Sequence, residues 1–352
     1  MAKKNEKNPG YQTLNAELSS DKPLRPLYLL WGEEDYLREF CLDKIRKRLL
    51  PPGLEEMNYF RFDGRNAEIG AIENALETLP VFSEKKLIEV RDFDFYRGKA
   101  PDRDALDALL SDLPDYCCLL FVLTAPDFKP DSRMKIHRHF KDPGLSVEFA
   151  RQSQSDLLSW IRRRFAALGK EINQPTSEYL IFYCGGLMTG LIGEIEKIAA
   201  WTKGPEVTRA DIDAVGAPIL DAVVWKFTDA LSNQQFDQAA GVMGELLRMR
   251  ESPIMILATA GKKFRQMFSA RLALEQGRDA AYIKALWGIN HDYPARLLME
   301  AARTVDLNWC RAVLLLMAQT DLHMKSTGNR GEDLLIELLL RLSADKSLGR
   351  AV

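Results

Sequence analysis

The sequence predicts an α/β domain built on a parallel sheet, followed by two all-α domains. Over the first 150 residues, short continuous apolar segments alternate with helical patterns. Such segments are typical of strands that are buried on both faces of a parallel sheet. The stretches between them are long enough for crossover helices. After Phe149 the strand patterns stop, and apolar residues recur only at helical spacing.

The elements of the α/β domain are expected in regular alternation. We predict strands at Leu27–Trp31, Asn58–Phe62, Lys86–Arg91, Cys117–Thr124 and Leu145–Phe149. Helical patterns occupy the intervening segments Asp35–Leu49, Ala67–Leu79, Arg103–Leu113 and Ser132–Lys141. This alternation is the pattern of repeated βαβ units.

The rest of the chain contains helical patterns separated by glycine and proline turns. Thr208 and Asp211 have the spacing of a capping box at the start of one such helix. No repeat of fixed period is present, which favours compact bundles over a solenoid. The expected organisation is a polar N-terminal extension at 1–20, the α/β domain at 21–150, a small helical domain at 151–217 and a second at 218–352.

Charge and cysteine content narrow the class of protein. Lys and Arg (48) nearly balance Asp and Glu (50), so charge alone does not favour nucleic acid as the main partner. The five cysteines lack metal-site spacing and predict buried thiols in a reducing cytoplasm. His137 and His139 are expected on a solvated helix face. No apolar segment reaches the ~18 residues of a membrane span, and we expect no metal, cofactor or membrane partner.

The segment LYLLWGEEDYLREF, residues 27–40, has the strand–turn–helix pattern of a phosphate-binding loop. Such a loop needs a second glycine followed by Lys and Ser or Thr. Here Gly32 is followed by Glu33, Glu34 and Asp35. These carboxylates would repel a triphosphate, and we expect them to complement the dipole of the following helix and cap its first turn. The sequence therefore predicts a degenerate nucleotide site and no catalytic residue.

Several segments together resemble the delta subunit family of the bacterial DNA polymerase III clamp loader. They are YLLWGEEDYLRE, NYFRFDG, LETLPVFSEKKLIEVRD, DSRMK before VEFA, GEIEKIA and TDLHMKSTG. The resemblance implies an AAA+-like first domain without a functional P-loop, a helical lid and a collar that oligomerises. It also implies a non-catalytic subunit whose partners are the sliding clamp (beta subunit), the ATPase subunits (gamma or tau) and delta-prime through the collar. Primed DNA would be contacted only within the assembled complex.

The resemblance assigns clamp binding to an apolar pair at Val81 and Phe82, with Leu79 and Pro80 as supporting contacts. Pro80 disfavours helical geometry in the residue before it and is expected to end the preceding helix. In the family, this pair enters a pocket on the clamp and helps to open the ring. From the residues alone, the alternative is that Val81 and Phe82 belong to the core.

Two other functions stay open: an active AAA+-type nucleotide hydrolase with an unusual phosphate loop, or a helical adaptor in another replication or repair assembly. The basic residues Lys262, Lys263 and Arg265 are candidates for contact with DNA phosphates, or for a solvated helix face. Ser83 and Lys86 form an SxxK pattern that we attribute to chance, because no other element of such a catalytic site accompanies it.

Overall fold

The computed structural model describes residues 9–95 and 100–344. The chain divides into two compact units. The first contains the residues through Gln152 together with Leu187–Thr189, and the second contains Ser153–Gly186 and the chain from Gly190 onward. The division between a lid and a collar near residue 217 stays a prediction.

The first unit contains one sheet of five parallel strands within the described residues. The strands are β1 (Leu27–Trp31), β2 (Tyr59–Asp63), β3 (Lys86–Arg91), β4 (Cys117–Val122) and β5 (Leu145–Glu148). Their order is β2-β3-β4-β1-β5, and all neighbours pair in parallel. Every residue of the central strand β4 is buried, as expected when helices cover both faces of a sheet. The predicted parallel sheet is thus confirmed.

The helices of the first unit are α1 (Pro9–Leu18), α2 (Asp35–Leu49), α3 (Glu55–Asn58), α4 (Ile69–Glu77) and α5 (Ala100–Ser111). Two of them, α1 and α3, were not predicted from the sequence. Leu14 of α1 is fully buried, and the Tyr11 ring packs edge-on against Phe149 at 5.8 Å between centroids. Residues 9–18 of the expected polar extension are therefore a packed helix, while residues 1–8 lie outside the described residues.

The helix expected at 132–141 is instead a four-residue 3₁₀ segment, Lys135–Arg138. The prediction that His137 and His139 lie on a solvated helix face was wrong. His137 packs 5.9 Å from the rings of both Phe95 and Phe140, and burial lowers its pKa. The buried His139 has its Nε2 2.8 Å from a carboxylate oxygen of Asp107. Buried residues of this segment occupy adjacent positions, which point to different sides. A longer surface helix would bury only one face, so the chain makes a tight turn here instead.

The second unit is helical. Its helices are α6 (Gln154–Ala167), α7 (Gln174–Cys184), α8 (Met188–Trp201), α9 (Arg209–Val215), α10 (Leu220–Ser232), α11 (Phe236–Arg248), α12 (Pro253–Glu275), α13 (Ala280–Trp287), α14 (Asp292–Ala301), α15 (Leu307–Ser326) and α16 (Gly331–Ala344). The first two residues of α8, Met188 and Thr189, are grouped with the first unit, together with Leu187 before them. The capping box of Thr208 and Asp211 is confirmed. In the part of the chain described, no helix has the length and apolar character to cross a membrane.

Candidate functional site

The turn after β1 is closed by the protein's own groups. Gly32 has φ +122°, and a Cβ at this position would lie 2.6 Å from the carbonyl oxygen of Phe149, so only glycine fits. The Glu34 N–H donates to that same oxygen at 2.8 Å. The buried Arg38 donates from Nη1 to the Gly32 carbonyl at 2.8 Å. A phosphate-binding turn needs free N–H groups, and here the Glu34 N–H is already engaged.

The acidic residues of this turn do not cap α2. Glu33 forms an ion pair with Arg151 at 2.6 Å, and Asp35 forms one with Arg38. The expectation that they cap the helix was wrong, because these ion pairs direct the carboxylates away from the first N–H groups of α2. Asp35 still lies in the first helical turn, where its charge complements the helix dipole.

Glu34 is the third acid, and it is fully buried. One carboxylate oxygen accepts the backbone N–H of Met188 at 3.2 Å, within the same unit. The other oxygen, Oε1, has no hydrogen-bond partner among the described residues. Burial raises the pKa of Glu34, because removal from water disfavours the charged form.

The four residues predicted to bind the clamp form one surface segment, which we call the tip (residues 79–82). Helix α4 ends at Glu77, two residues before the predicted end, and Thr78 is already extended. Phe82 is 88% exposed, Leu79 67% and Val81 38%. Pro80 is half-buried. Val81 and Phe82 therefore do not belong to the core, which was the alternative interpretation of this pair.

The backbone of the tip is held by a buried side chain that the sequence analysis missed. Asn58 lies at the end of α3 and is fully buried. Its Oδ1 accepts the N–H of Val81 at 2.7 Å, and its Nδ2 donates to the Val81 carbonyl at 2.9 Å. Asparagine is depleted in strands, so an asparagine at the predicted start of a strand could have indicated a special role for this residue. Phe82 follows with φ +52°, which is uncommon for a residue other than glycine.

Lys86, at the start of β3, supports the other side of the tip. Its side chain is fully buried, and its ammonium group donates to the carbonyls of Ala75 and Thr78 at the end of α4. The ring centroids of Phe60 and Tyr116 lie 5.8 and 5.3 Å from the same group. Burial lowers the pKa of Lys86. Ser83, the other residue of the SxxK pattern, donates from its hydroxyl to the carbonyl of Lys85.

The basic residues of α12 do not share one face. Lys262 and Arg265 are exposed, whereas Lys263 is buried and lies 3.5 Å from a carboxylate oxygen of Asp221. Burial lowers the pKa of Lys263. The expectation that Lys263 is available to DNA was wrong, because adjacent positions on a helix point about 100° apart. DNA contact by Lys262 and Arg265 stays a prediction.

Within residues 9–95 and 100–344, no group of three or more His, Cys, Asp or Glu side chains could hold a metal ion. All five cysteines are free thiols, and Cys41, Cys117, Cys118 and Cys310 are buried. Burial raises the pKa of the Cys41 and Cys117 thiols to about 11, so these groups are neutral, unreactive thiols near pH 7.

Comparison with known proteins gives consistent matches over both units. The family model for "DNA polymerase III, delta subunit" matches residues 28–149, and that for "DNA polymerase III delta subunit, C-terminal domain" matches residues 221–342. DNA polymerase III subunit delta of Bacillus subtilis is 24% identical over 323 residues, which are 90% of this chain and 92% of that protein.

A solved structure shares the fold. The Bacillus subtilis DNA clamp loader delta protein superposes with a TM-score of 0.54 and 22% identity, over 95% of this chain and 98% of that one. This match confirms the predicted fold class, in which a parallel sheet is followed by helices. Because the two family models together match more than half of the residues, the chain belongs to the family of DNA polymerase III delta subunits.

Proposed function

We propose that this chain is a non-catalytic clamp-loader subunit that binds the sliding clamp through the tip and helps to open the ring for loading onto primed DNA. The observation that supports this most directly is the exposure of Phe82, at 88%, next to the exposed apolar side chains of Leu79 and Val81. An aromatic side chain so exposed on an ordered backbone is typical of an anchor that enters a pocket on a partner.

The physical basis of binding is the burial of this apolar tip. Transfer of one Phe side chain from water into a pocket is worth roughly 1.5–3 kcal/mol. The two hydrogen bonds from Asn58 to Val81 order the tip before binding, which reduces the entropy lost on docking. If the tip binds an open clamp interface more tightly than a closed one, it shifts the ring toward the open state by that difference in affinity.

The proposed lack of nucleotide hydrolysis is supported by the closed turn after β1. The Glu34 N–H is occupied by Phe149, and the Glu34 carboxylate is buried beside it. These features give no support to the alternative of an active hydrolase with an unusual phosphate loop. The ATPase subunits of the loader would supply nucleotide-driven motion, and we place the assembled complex in the cytoplasm, where replication takes place.

Contacts with the ATPase subunits and delta-prime are proposed for the C-terminal helices. Leu315 and Leu322 of α15 and Leu340 of α16 are exposed, although Leu338 and Leu342 of the same α16 are buried. Exposed leucines beside a well-packed core suit a surface that other subunits cover. This collar would join the chain to its partners, and the tip would remain free for the clamp.

Replacing Phe82 by alanine should weaken binding of the chain to purified clamp between about 10-fold and 100-fold, the ratio expected from burial of one Phe side chain. Phe40→Ala is the matched control, because Phe40 is 44% exposed on α2 and stacks on Tyr36 outside the tip. Surface plasmon resonance against immobilised clamp measures both variants. A Phe82→Ala chain that keeps full affinity would contradict the proposal.

A further inference from the structure

We propose that Asn58 is a positioning residue for the tip: its buried amide fixes the backbone of Val81 so that Phe82 is held outward, ready to enter the clamp. This inference rests on the proposed function. It adds a residue from a different element, 23 positions before Val81, that acts on the clamp through Phe82 and is not itself exposed.

The hydrogen bonds of Asn58 leave one orientation of its amide group. Oδ1 accepts from the Val81 N–H, and Nδ2 donates to the carbonyls of both Val81 and Leu54, the latter at 3.2 Å. Exchanging the amide oxygen and nitrogen would place a donor against an N–H and an acceptor against two carbonyls. Asn58 therefore binds Val81 at both of its backbone groups, as a neighbouring strand would.

The two hydrogen bonds between Asn58 and Val81 are not part of the bonding within helix α3 or strand β2. The bond to the Leu54 carbonyl, four residues earlier, is local to the short helix α3. Strand β2 starts at the next residue and pairs with β3 through its own backbone, beginning at Tyr59 and Leu87. The bonds from Asn58 to Val81 thus serve the tip alone.

The tip needs such support because its most exposed residue has a strained backbone. A non-glycine residue in the left-handed region, such as Phe82 at φ +52°, is less stable by roughly 1–2 kcal/mol. With 88% of its surface exposed, the Phe82 side chain has few contacts of its own to offset this. The hydrogen bonds at Val81, immediately before it, hold the backbone in place where side-chain packing does not.

Removing the support should lower the share of molecules that can bind. Without Asn58 the tip would sample other conformations, and the apparent affinity falls in proportion to the fraction that keeps the binding conformation. If that fraction drops to about one tenth, the dissociation constant rises about tenfold. The amide hydrogens of residues 81–85 would also exchange faster with solvent, because local order protects them.

The test compares Asn58→Ala with the parent chain by hydrogen exchange of the free protein and by clamp affinity. We expect about tenfold faster exchange over residues 81–85 and a dissociation constant about tenfold higher. In a Phe82→Ala background, Asn58→Ala should cause a smaller loss of affinity than in the parent chain, because most of its effect is exerted through Phe82. Asn173→Ala is the control, since Asn173 caps α7 in the second unit and should change stability without changing clamp affinity.

A second variant covers the case in which Asn58→Ala does not fold. Serine at position 58 can still bond the Leu54 carbonyl four residues earlier, but its side chain is too short to span both groups of Val81. Asn58→Ser should therefore reproduce the faster exchange and the weaker binding.

Three results would overturn the inference. Unchanged exchange at the tip in a folded variant would mean that Asn58 does not order it. Faster exchange with unchanged clamp affinity, while Phe82→Ala still weakens binding, would reject the positioning role and leave the proposed function intact. If Phe82→Ala itself binds normally, the proposed function fails and this inference fails with it.

Discussion

At the scale of single residues, Glu34 shows how the first turn differs from a phosphate-binding loop. Its carboxylate is buried and accepts one backbone N–H, from Met188, while Oε1 is unpaired. A buried carboxylate with incomplete hydrogen bonding is costly in its charged form. Burial accordingly raises the pKa of Glu34 above its ordinary value of 4.5.

Replacing Glu34 by glutamine should raise the free energy of unfolding at neutral pH by about 1 kcal/mol, because glutamine still offers an oxygen to the Met188 N–H but cannot carry the buried charge. Because the folded-state pKa of Glu34 lies above its unfolded value of 4.5, its favourable contribution is complete below pH 4.5. That contribution is lost as the pH rises through the folded-state pKa. The stabilisation by Glu34→Gln should therefore grow with pH in urea unfolding from pH 4 to 8. A difference independent of pH would refute this account.

At the scale of secondary-structure elements, the tip depends on how α4 ends and β3 begins. Helix α4 has nine residues, and its last carbonyls have no partner within the helix. The ammonium group of Lys86, the first residue of β3, binds two carbonyls near this end, those of Ala75 and Thr78. One buried cation thus joins the two elements that flank the tip.

Replacing Lys86 by methionine should lower the free energy of unfolding by about 1–3 kcal/mol, because buried carbonyls lose a charged donor while the apolar stem is kept. Amide exchange in α4 should become faster as the helix end frays. Lys85→Met is the matched control, because the partner of Lys85 is the exposed carbonyl of Asp115, and its effect should stay within about 0.5 kcal/mol. Equal exchange in α4 for parent and Lys86→Met would rule out a capping role.

At the scale of the whole molecule, the second unit has its own core. That core is formed by α10 to α16 and includes the fully buried Phe264, Met267 and Val313. The Phe264 ring packs edge-on against Trp309, 5.6 Å between centroids. A unit with a continuous core of this kind meets the physical requirement for folding alone.

A fragment of residues 153–344 should fold cooperatively and should not bind the clamp. Circular dichroism would show helix and a single thermal transition, because its core lies within the fragment. Clamp binding should be absent because the tip belongs to the first unit. The same fragment with Phe264→Asp is the control for core packing, since a buried unpaired charge should prevent folding. A parent fragment without a cooperative transition would contradict this prediction.

Local patterns in the sequence predicted most of the fold. Strands β1 and β3 have the predicted bounds, because continuous apolar segments of this length fit a sheet covered on both faces. Helix α2 also has its predicted bounds, Asp35–Leu49. The prediction of a helix at 132–141 was wrong because burial of this segment depends on the surrounding Phe95 and Phe140. Helix α1 was missed because its apolar pattern is weak and its packing partner, Phe149, is remote in sequence.

The sequence by itself determined the five strands, most of the helices, the absence of a phosphate-loop motif and the position of the apolar tip, because each depends on residues close together in the chain. Only the tertiary structure decided that Phe82 is exposed, that Lys263 is buried and that Asn58 and Lys86 support the tip. Burial and side-chain hydrogen bonds depend on contacts between distant segments. Local propensity and spacing carry no information about those contacts.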